Sequence, residues 1–315
     1  MKLSLFDTHC DTAFELYHRG LGLDTNDSCR ISLDKAACYE RYAQYYAIWS
    51  DRRLDDEACW QSFLHISDFL RAEIARLSHR ASWVTCADEL ENAVANGRHA
   101  AILAVEDARL IAGRLERLDE MKLRGVRYLT LLWGGDTCIG GSHNTVHGLT
   151  DLGREVARGC FERGIIPDIS HASEQSVDDL LPIAYEYGKP IIASHSNAYT
   201  VYGHSRNLRD RHFAAIRELG GIVGINLCPS HLTDTSLHSA TVEDIFAHAE
   251  HFLALGGEDM VGFGADWDGA DLPNGISHVG DLTKVADFMA RHNYSDELIE
   301  KLFWKNFYRF SMKNL

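Results

Sequence analysis

Eight short runs rich in Val, Ile, Leu, Tyr and Phe recur along the 315 residues, at 3–8, 43–48, 101–105, 126–132, 165–170, 190–194, 221–227 and 260–265. Amphipathic stretches separate most of them, among them 55–77, 115–123, 150–163, 174–187, 210–219, 242–255 and 280–291. Short continuous apolar runs suit strands covered on both faces, and a 3.6-residue rhythm suits the helices that cover them. Eight such units, joined by right-handed crossovers, predict an α/β fold of the (β/α)8 TIM-barrel type, closed rather than open. The rival, an open doubly wound sheet, would place a GxGxxG turn after the first strand, and none is present. Thr150 and Ser173 stand where helices begin, and Gly164, Gly188 and Gly220 where they stop. Two connections are long, 20–40 and the Gly-rich 133–148, but no repeat or low-complexity linker divides the chain. Residues 1–315 are therefore read as one barrel domain.

Several of these runs close on a side chain that binds metals. The first leads to His9 and Asp11, and later ones end at Glu106, His171, His195 and Asp266. Residues two apart on a strand share a face, so His9 and Asp11 converge while Cys10 faces away as a buried structural thiol. In a barrel, the C-terminal ends of all strands meet at one mouth, which turns a scattered set into a single site. A carboxylate and imidazole set suits Zn²⁺, and more ligands than one tetrahedral ion needs imply two ions, with Mn²⁺, Co²⁺ or Fe²⁺ as other occupants of the same donors. The residues alone thus predict a metallohydrolase. Among the other histidines, His65, His79, His99, His212, His248, His251 and His292 are expected in solvent, and His143, His147 and His204 on loops near the mouth.

A formal charge of −15 disfavours nucleic acid and anionic membranes as partners. Eight cysteines without a CxxC pair, and no secretory leader before the first strand, point to thiols in a reducing cytoplasm.

Taken together, the segments Asp7-Thr8-His9-Cys10-Asp11, Gly148-Leu149-Thr150-Asp151-Leu152-Gly153, Asp168-Ile169-Ser170-His171-Ala172-Ser173, Ser194-His195-Ser196-Asn197-Ala198-Tyr199, Ser205-Arg206-Asn207 and Gly262-Phe263-Gly264-Ala265-Asp266-Trp267-Asp268-Gly269 resemble the membrane (renal-type) dipeptidase family of dinuclear zinc peptidases, peptidase family M19. The resemblance runs nearly end to end. It implies two Zn²⁺ ions per chain, His9 and Asp11 on one, His171 and His195 on the other, and Glu106 bridging them. It further implies that Asp266 transfers a proton without binding metal and that Arg206 takes the substrate's terminal carboxylate. The expected activity is hydrolysis of dipeptides by metal-bound hydroxide, with a D-residue accepted at the C-terminal position and a homodimer as the family-level assembly. Asp7 and Asp168 are candidate supports for the ligands, and Trp49, Asp136, Tyr199 and Tyr202 candidate pocket residues.

One departure stands out. Renal-type members carry a histidine at the end of the fourth strand, in contact with the reaction-centre oxygen, where this chain has Trp133. Either His143 or another loop donor replaces it, or the metal acts alone. Two alternatives of other classes remain: a barrel hydrolase acting on lactones, phosphoesters or deamination substrates, and a metal-binding barrel without catalysis.

Overall fold

The computed structural model describes residues 2–315. Its strands are β1 Leu5–Asp7, β2 Tyr42–Trp49, β3 Ala81–Val84, β4 His99–Glu106, β5 Val126–Thr130, β6 Ile166–Asp168, β7 Val223–Ile225 and β8 Val261–Phe263. The helices are α1 Thr12–Arg19, α2 Asp56–Arg76, α3 Ala87–Ala95, α4 Glu116–Arg124, α5 Asp151–Arg163, α6 Glu174–Tyr187, α7 Asp210–Glu218, α8 Pro229–Leu232, α9 Val242–Ala254, α10 Thr283–Arg291, α11 Asp296–Glu300 and α12 Asn306–Asn314. Thr150 and Ser173 cap α5 and α6 by accepting the N–H groups of Gly153 and Ser176. Gly164 and Gly188 end the same helices in the left-handed region, at φ 65° and 57°, where a side chain would be strained. Among the described residues, no helix is long and apolar enough to cross a membrane.

The strands pair in parallel in the order β6-β5-β4-β2-β1-β8-β7. The remaining gap is closed by the run expected as a strand at 190–194. Ile192 bridges Asp168 and Ala193 bridges Val223, with Ile192 N–H donating to Pro167 O at 3.1 Å and Gly224 N–H to Ala193 O at 2.8 Å. The ring is therefore a closed barrel, but this position is reduced to two bridging residues. Pro190 has no N–H to give, and Ser194 N–H leaves the ladder for Asp168 Oδ1 at 2.8 Å.

β3 and α3 were not foreseen. The four residues Ala-Ser-Trp-Val hold no continuous apolar run, and they pair only with the first half of β4, from His99 to Ile102, before β5 takes over that edge. Along β4, Ala100, Ile102 and Ala104 belong to one buried cluster with Phe6, Tyr45 and Tyr128, whereas Ala101, Leu103 and Val105 belong to the larger one shared with the helices. The two-residue period thus separates the barrel's interior from its outer face. Glu106 continues the inner series by one step, which aims its carboxylate along the barrel axis. At the opposite end the C-terminal segment seals the barrel, with Trp304 and Phe307 packed on Phe6 at ring distances of 5.7 and 6.4 Å.

Three histidines expected in solvent are buried instead. His99 starts β4 and lies between Tyr46 Oη at 2.9 Å and Tyr42 O at 3.2 Å. His212 meets Asp178 at 2.9 Å, and His248 joins Ala198 N–H to Leu232 O. Each is on a face of its element that neighbouring elements cover, where its polar atoms find local partners.

Candidate active site

Two aspartates at strand ends build the floor in the same way. Asp7, ending β1, accepts the N–H of His9 two residues on, that of Ala265 beyond β8, and the side chains of Gln44 and Trp267, at 2.9–3.1 Å. Asp168, ending β6, accepts the N–H of Ser170 two residues on and that of Ser194 on the neighbouring run, together with the hydroxyls of Thr130 and Ser194, at 2.6–3.0 Å. Each carboxylate ties the start of one histidine-bearing loop to its neighbour. Burial pushes the Asp7 carboxyl up to about 7 against those hydrogen bonds.

Above this floor, six side chains meet. His9 Nε2 lies 3.7 Å from Asp11 Oδ2 and 3.7 Å from Glu106 Oε1. The same Glu106 oxygen also faces His171 Nε2 at 3.0 Å and His195 Nε2 at 3.3 Å, which are 2.9 Å from each other, and the His195 ring stacks on that of His9 at 3.8 Å. Asp266 Oδ1 is 3.8 Å from His9 Nε2, and its Oδ2 accepts from Asn226 Nδ2 at 3.0 Å. All six residues named from strand ends are thus brought together. The approach of His9 and Asp11 is not strand alternation, however, since β1 ends at Asp7. Cys10 bridges Trp267, and Asp11 already sits at the N-terminus of α1. Cys10 is buried and gives its thiol to Tyr45 O. His171 and Asp266 both hold left-handed backbone, at φ 69° and 62°, a conformation that costs a non-glycine residue about 1–3 kcal/mol and clusters at functional sites.

The donor set fits divalent cations. His9 Nε2 and Glu106 Oε1 are buried without a hydrogen bond. The groups His9, Glu106, His195 and His9, Asp11, Asp266 each bring their ligand atoms within 4.8 Å of one another. Burial, followed by Arg206 for His171 and by His9 for His195, holds both well below the ordinary imidazole range, in the neutral form a metal needs. Against its own burial, the carboxylates of Glu106, Asp11 and Asp266 push His9 up to about 10, the sign of a pocket that attracts positive charge. Two relays expose the Nε2 lone pairs. Tyr128 Oη donates to Thr8 O and so accepts from His9 Nδ1 at 2.9 Å. Ser194 Oγ donates to Asp168 and so accepts from His195 Nδ1 at 2.7 Å.

A cavity of about 490 Å³ opens over these groups, walled by Trp49, Trp133, His143, Arg206 and His231 among others. Arg206 is buried and donates to His195 O at 3.2 Å. Asp210, its nearest candidate partner in sequence, binds Thr200 and His251 instead. Trp133 packs on Trp49 at 5.0 Å. His143 is fixed by its N–H to His171 O and by Nδ1 to Ser205 Oγ at 2.9 Å; burial, then Arg206, lowers it to about 3, so it stays neutral. Tyr199 and Asp136 stand outside this cavity. Tyr199 is stacked under Arg209 at 3.2 Å, and Asp136 pairs with His147 at 2.9 Å in a neighbouring depression. Tyr202 stacks on His204 at 6.2 Å and likewise lies off the cavity wall. Sequence reasoning missed Tyr128, Asn226, Arg52, Cys228 and His231. The last three follow strands β2 and β7, where the strand-end rule applied to those runs would have found them.

A model of the membrane dipeptidase family, peptidase family M19, matches residues 1–313. An uncharacterized dipeptidase of Schizosaccharomyces pombe is 30% identical over 253 residues, which cover 77% of this chain; the match spans 60% of that relative's own length. Among solved structures, dipeptidase AC, a metallopeptidase of family M19, superposes with a TM-score of 0.92 at 28% identity, over 100% of this chain and 99% of its own. A metallopeptidase from Rhodobacter sphaeroides, liganded with a phosphinate mimic of the dipeptide L-Ala-D-Ala, superposes with a TM-score of 0.91 at 26% identity over 100% of both chains.

Proposed function

The chain belongs to the membrane dipeptidase family, peptidase family M19, and on that premise we propose that it is a metallo-dipeptidase hydrolysing the peptide bond of dipeptides at two zinc ions. The observation that carries this reading is the single buried Glu106 oxygen within 4 Å of His9, His171 and His195 alike, with no hydrogen bond of its own. His9 and Asp11 would hold one ion, His171 and His195 the second, and Glu106 both. Bound there, the ions would acidify a water molecule and polarise the scissile carbonyl.

The remaining work falls to the protein's own groups. Asn226 holds one oxygen of Asp266, leaving the other to take a proton from the attacking water and to return it to the departing amine. Arg206, buried and free of any carboxylate within ion-pair reach among the described residues, offers its guanidinium to the substrate's C-terminal carboxylate. A charged clamp in the wall of a cavity of about 490 Å³ favours very short peptides. With Trp133 in place of the family's histidine, His143 supplies the N–H donor to the carbonyl oxygen: Ser205 engages Nδ1 and leaves Nε2 for the cavity. The mimic bound by the Rhodobacter sphaeroides protein supports extending the proposal to a D-residue at the C-terminal position.

The test is a panel of L,L and L,D dipeptides with zinc-loaded protein, comparing wild type with Asp266→Asn and Arg206→Ala. Asp266→Asn should lower kcat by about 10²–10⁴-fold, the usual worth of a general acid–base, with zinc retained. Arg206→Ala should act mainly on KM. Absence of hydrolysis of every dipeptide, or indifference to both substitutions, overturns the reading.

A further inference from the structure

We propose that Arg52, at the rim of the cavity, selects dipeptides that carry an acidic side chain. The inference rests on the dipeptidase reading and adds the substrate class. Arg52 follows β2 and lines the cavity beside Trp49, Trp133 and Gly134. Its guanidinium lies over the Trp133 ring, 5.6 Å from the centroid. The backbone facing it is Gly134-Gly135, and a Cβ at either position would come within 3.2 Å of a guanidinium nitrogen. Two glycines and an aromatic face thus make a seat for this cation, and stacking of this kind orients a guanidinium while leaving its edge free to bind an anion.

The neighbouring carboxylates are already engaged. Asp51, the residue before it, is held by Arg53 through both oxygens, with Nε to Oδ1 at 3.0 Å and Nη2 to Oδ2 at 2.5 Å. In the adjoining depression Asp56 and Asp107 pair with Arg109 at 2.9 and 3.4 Å, and Asp136 pairs with His147 at 2.9 Å. Among the described residues Arg52 has no carboxylate within ion-pair distance, although fourteen other arginines do. A dipeptide has one α-carboxylate, and Arg206 takes it. A second, unpaired cation on the same cavity matches a second negative charge, which only a side chain can bring.

Exchanging Glu for its neutral isostere Gln isolates that charge. Wild type should show kcat/KM for Ala-Glu or Glu-Ala about tenfold above the matching Gln peptide, the range of a part-exposed charge-assisted contact, and the ratio should shrink with added salt. Arg52→Gln should bring the ratio to about one, and Arg52→Glu should invert it, favouring Lys over Gln peptides. Both variants are read as ratios within one protein, so a general loss of activity does not imitate the result. A wild type active on dipeptides but indifferent to Glu against Gln, or a preference that survives Arg52→Gln, overturns the role of Arg52 alone. A wild type inactive on every dipeptide overturns this inference together with the function it rests on.

Discussion

Replacing Tyr128 with Phe removes one oxygen from the wall of the barrel and tests whether the imidazole relays govern the site. Tyr128 is 1% exposed, and its hydroxyl is the only atom lost. That atom accepts from His9 Nδ1 at 2.9 Å and donates to Thr8 O at 2.9 Å. Its loss leaves a buried donor and a buried acceptor unpaired at a depth water does not reach. Each costs about 1–3 kcal/mol, so the metal-free protein should lose roughly 2–6 kcal/mol of stability. The more telling effect is on the cation. With Nδ1 unheld, nothing fixes the neutral ring in the tautomer that bares Nε2, the nitrogen that faces Asp11 and Glu106, when a cation displaces its proton. Loss of a partner of this kind weakens metal binding by about 10–100-fold. Competition with a chelator of known affinity reads the metal constant, and thermal unfolding of metal-free protein reads the stability term separately. Zinc affinity within twofold of wild type would refute the idea that Tyr128 sets the tautomer of His9, even if the variant is less stable.

Three further outcomes follow from named contacts. Gly269→Ala would set a Cβ 2.5 Å from Asp266 Oδ1 and closer still to Asp11 Oδ2, so kcat should fall at least about tenfold, the scale of a displaced catalytic group; full activity in the variant would show that these carboxylates have room to move. His143→Ala should lower kcat by about 10²–10³-fold with little change in KM, as for other oxyanion donors, and a kcat within threefold of wild type would return that role to the metal alone. Burial lowers His99 to about 3; because the unfolded chain protonates near 6.5 while the folded one does not, stability should decline as pH falls from about 6.5 toward 3, by up to about 1.4 kcal/mol per pH unit from this group. His99→Gln should flatten that slope in urea titrations across the window while lowering stability at neutral pH, and unchanged slopes would discount His99.

The parts of this molecule that were legible in the sequence are those in which one short segment carries both the strand and the functional side chain. Glu106 could be named because it closes the run at 101–105, and the histidines because they close the runs at 165–170 and 190–194. What escaped was whatever depends on a second segment. Tyr128 reads as one more aromatic in an apolar strand until His9, 119 residues away, is seen against its hydroxyl. Tyr199 and Asp136 sit on loops whose direction is set by Arg209 and His147, contacts that no periodicity encodes. The two-residue strand at Ile192 and Ala193 makes the same point from the side of the fold. A ladder there would have used Ser194 N–H, and the site claims that group for Asp168. In this barrel the requirement to hold His195 overrides the requirement to extend the sheet, so the place where the strand pattern fails is also the place where the functional side chains begin.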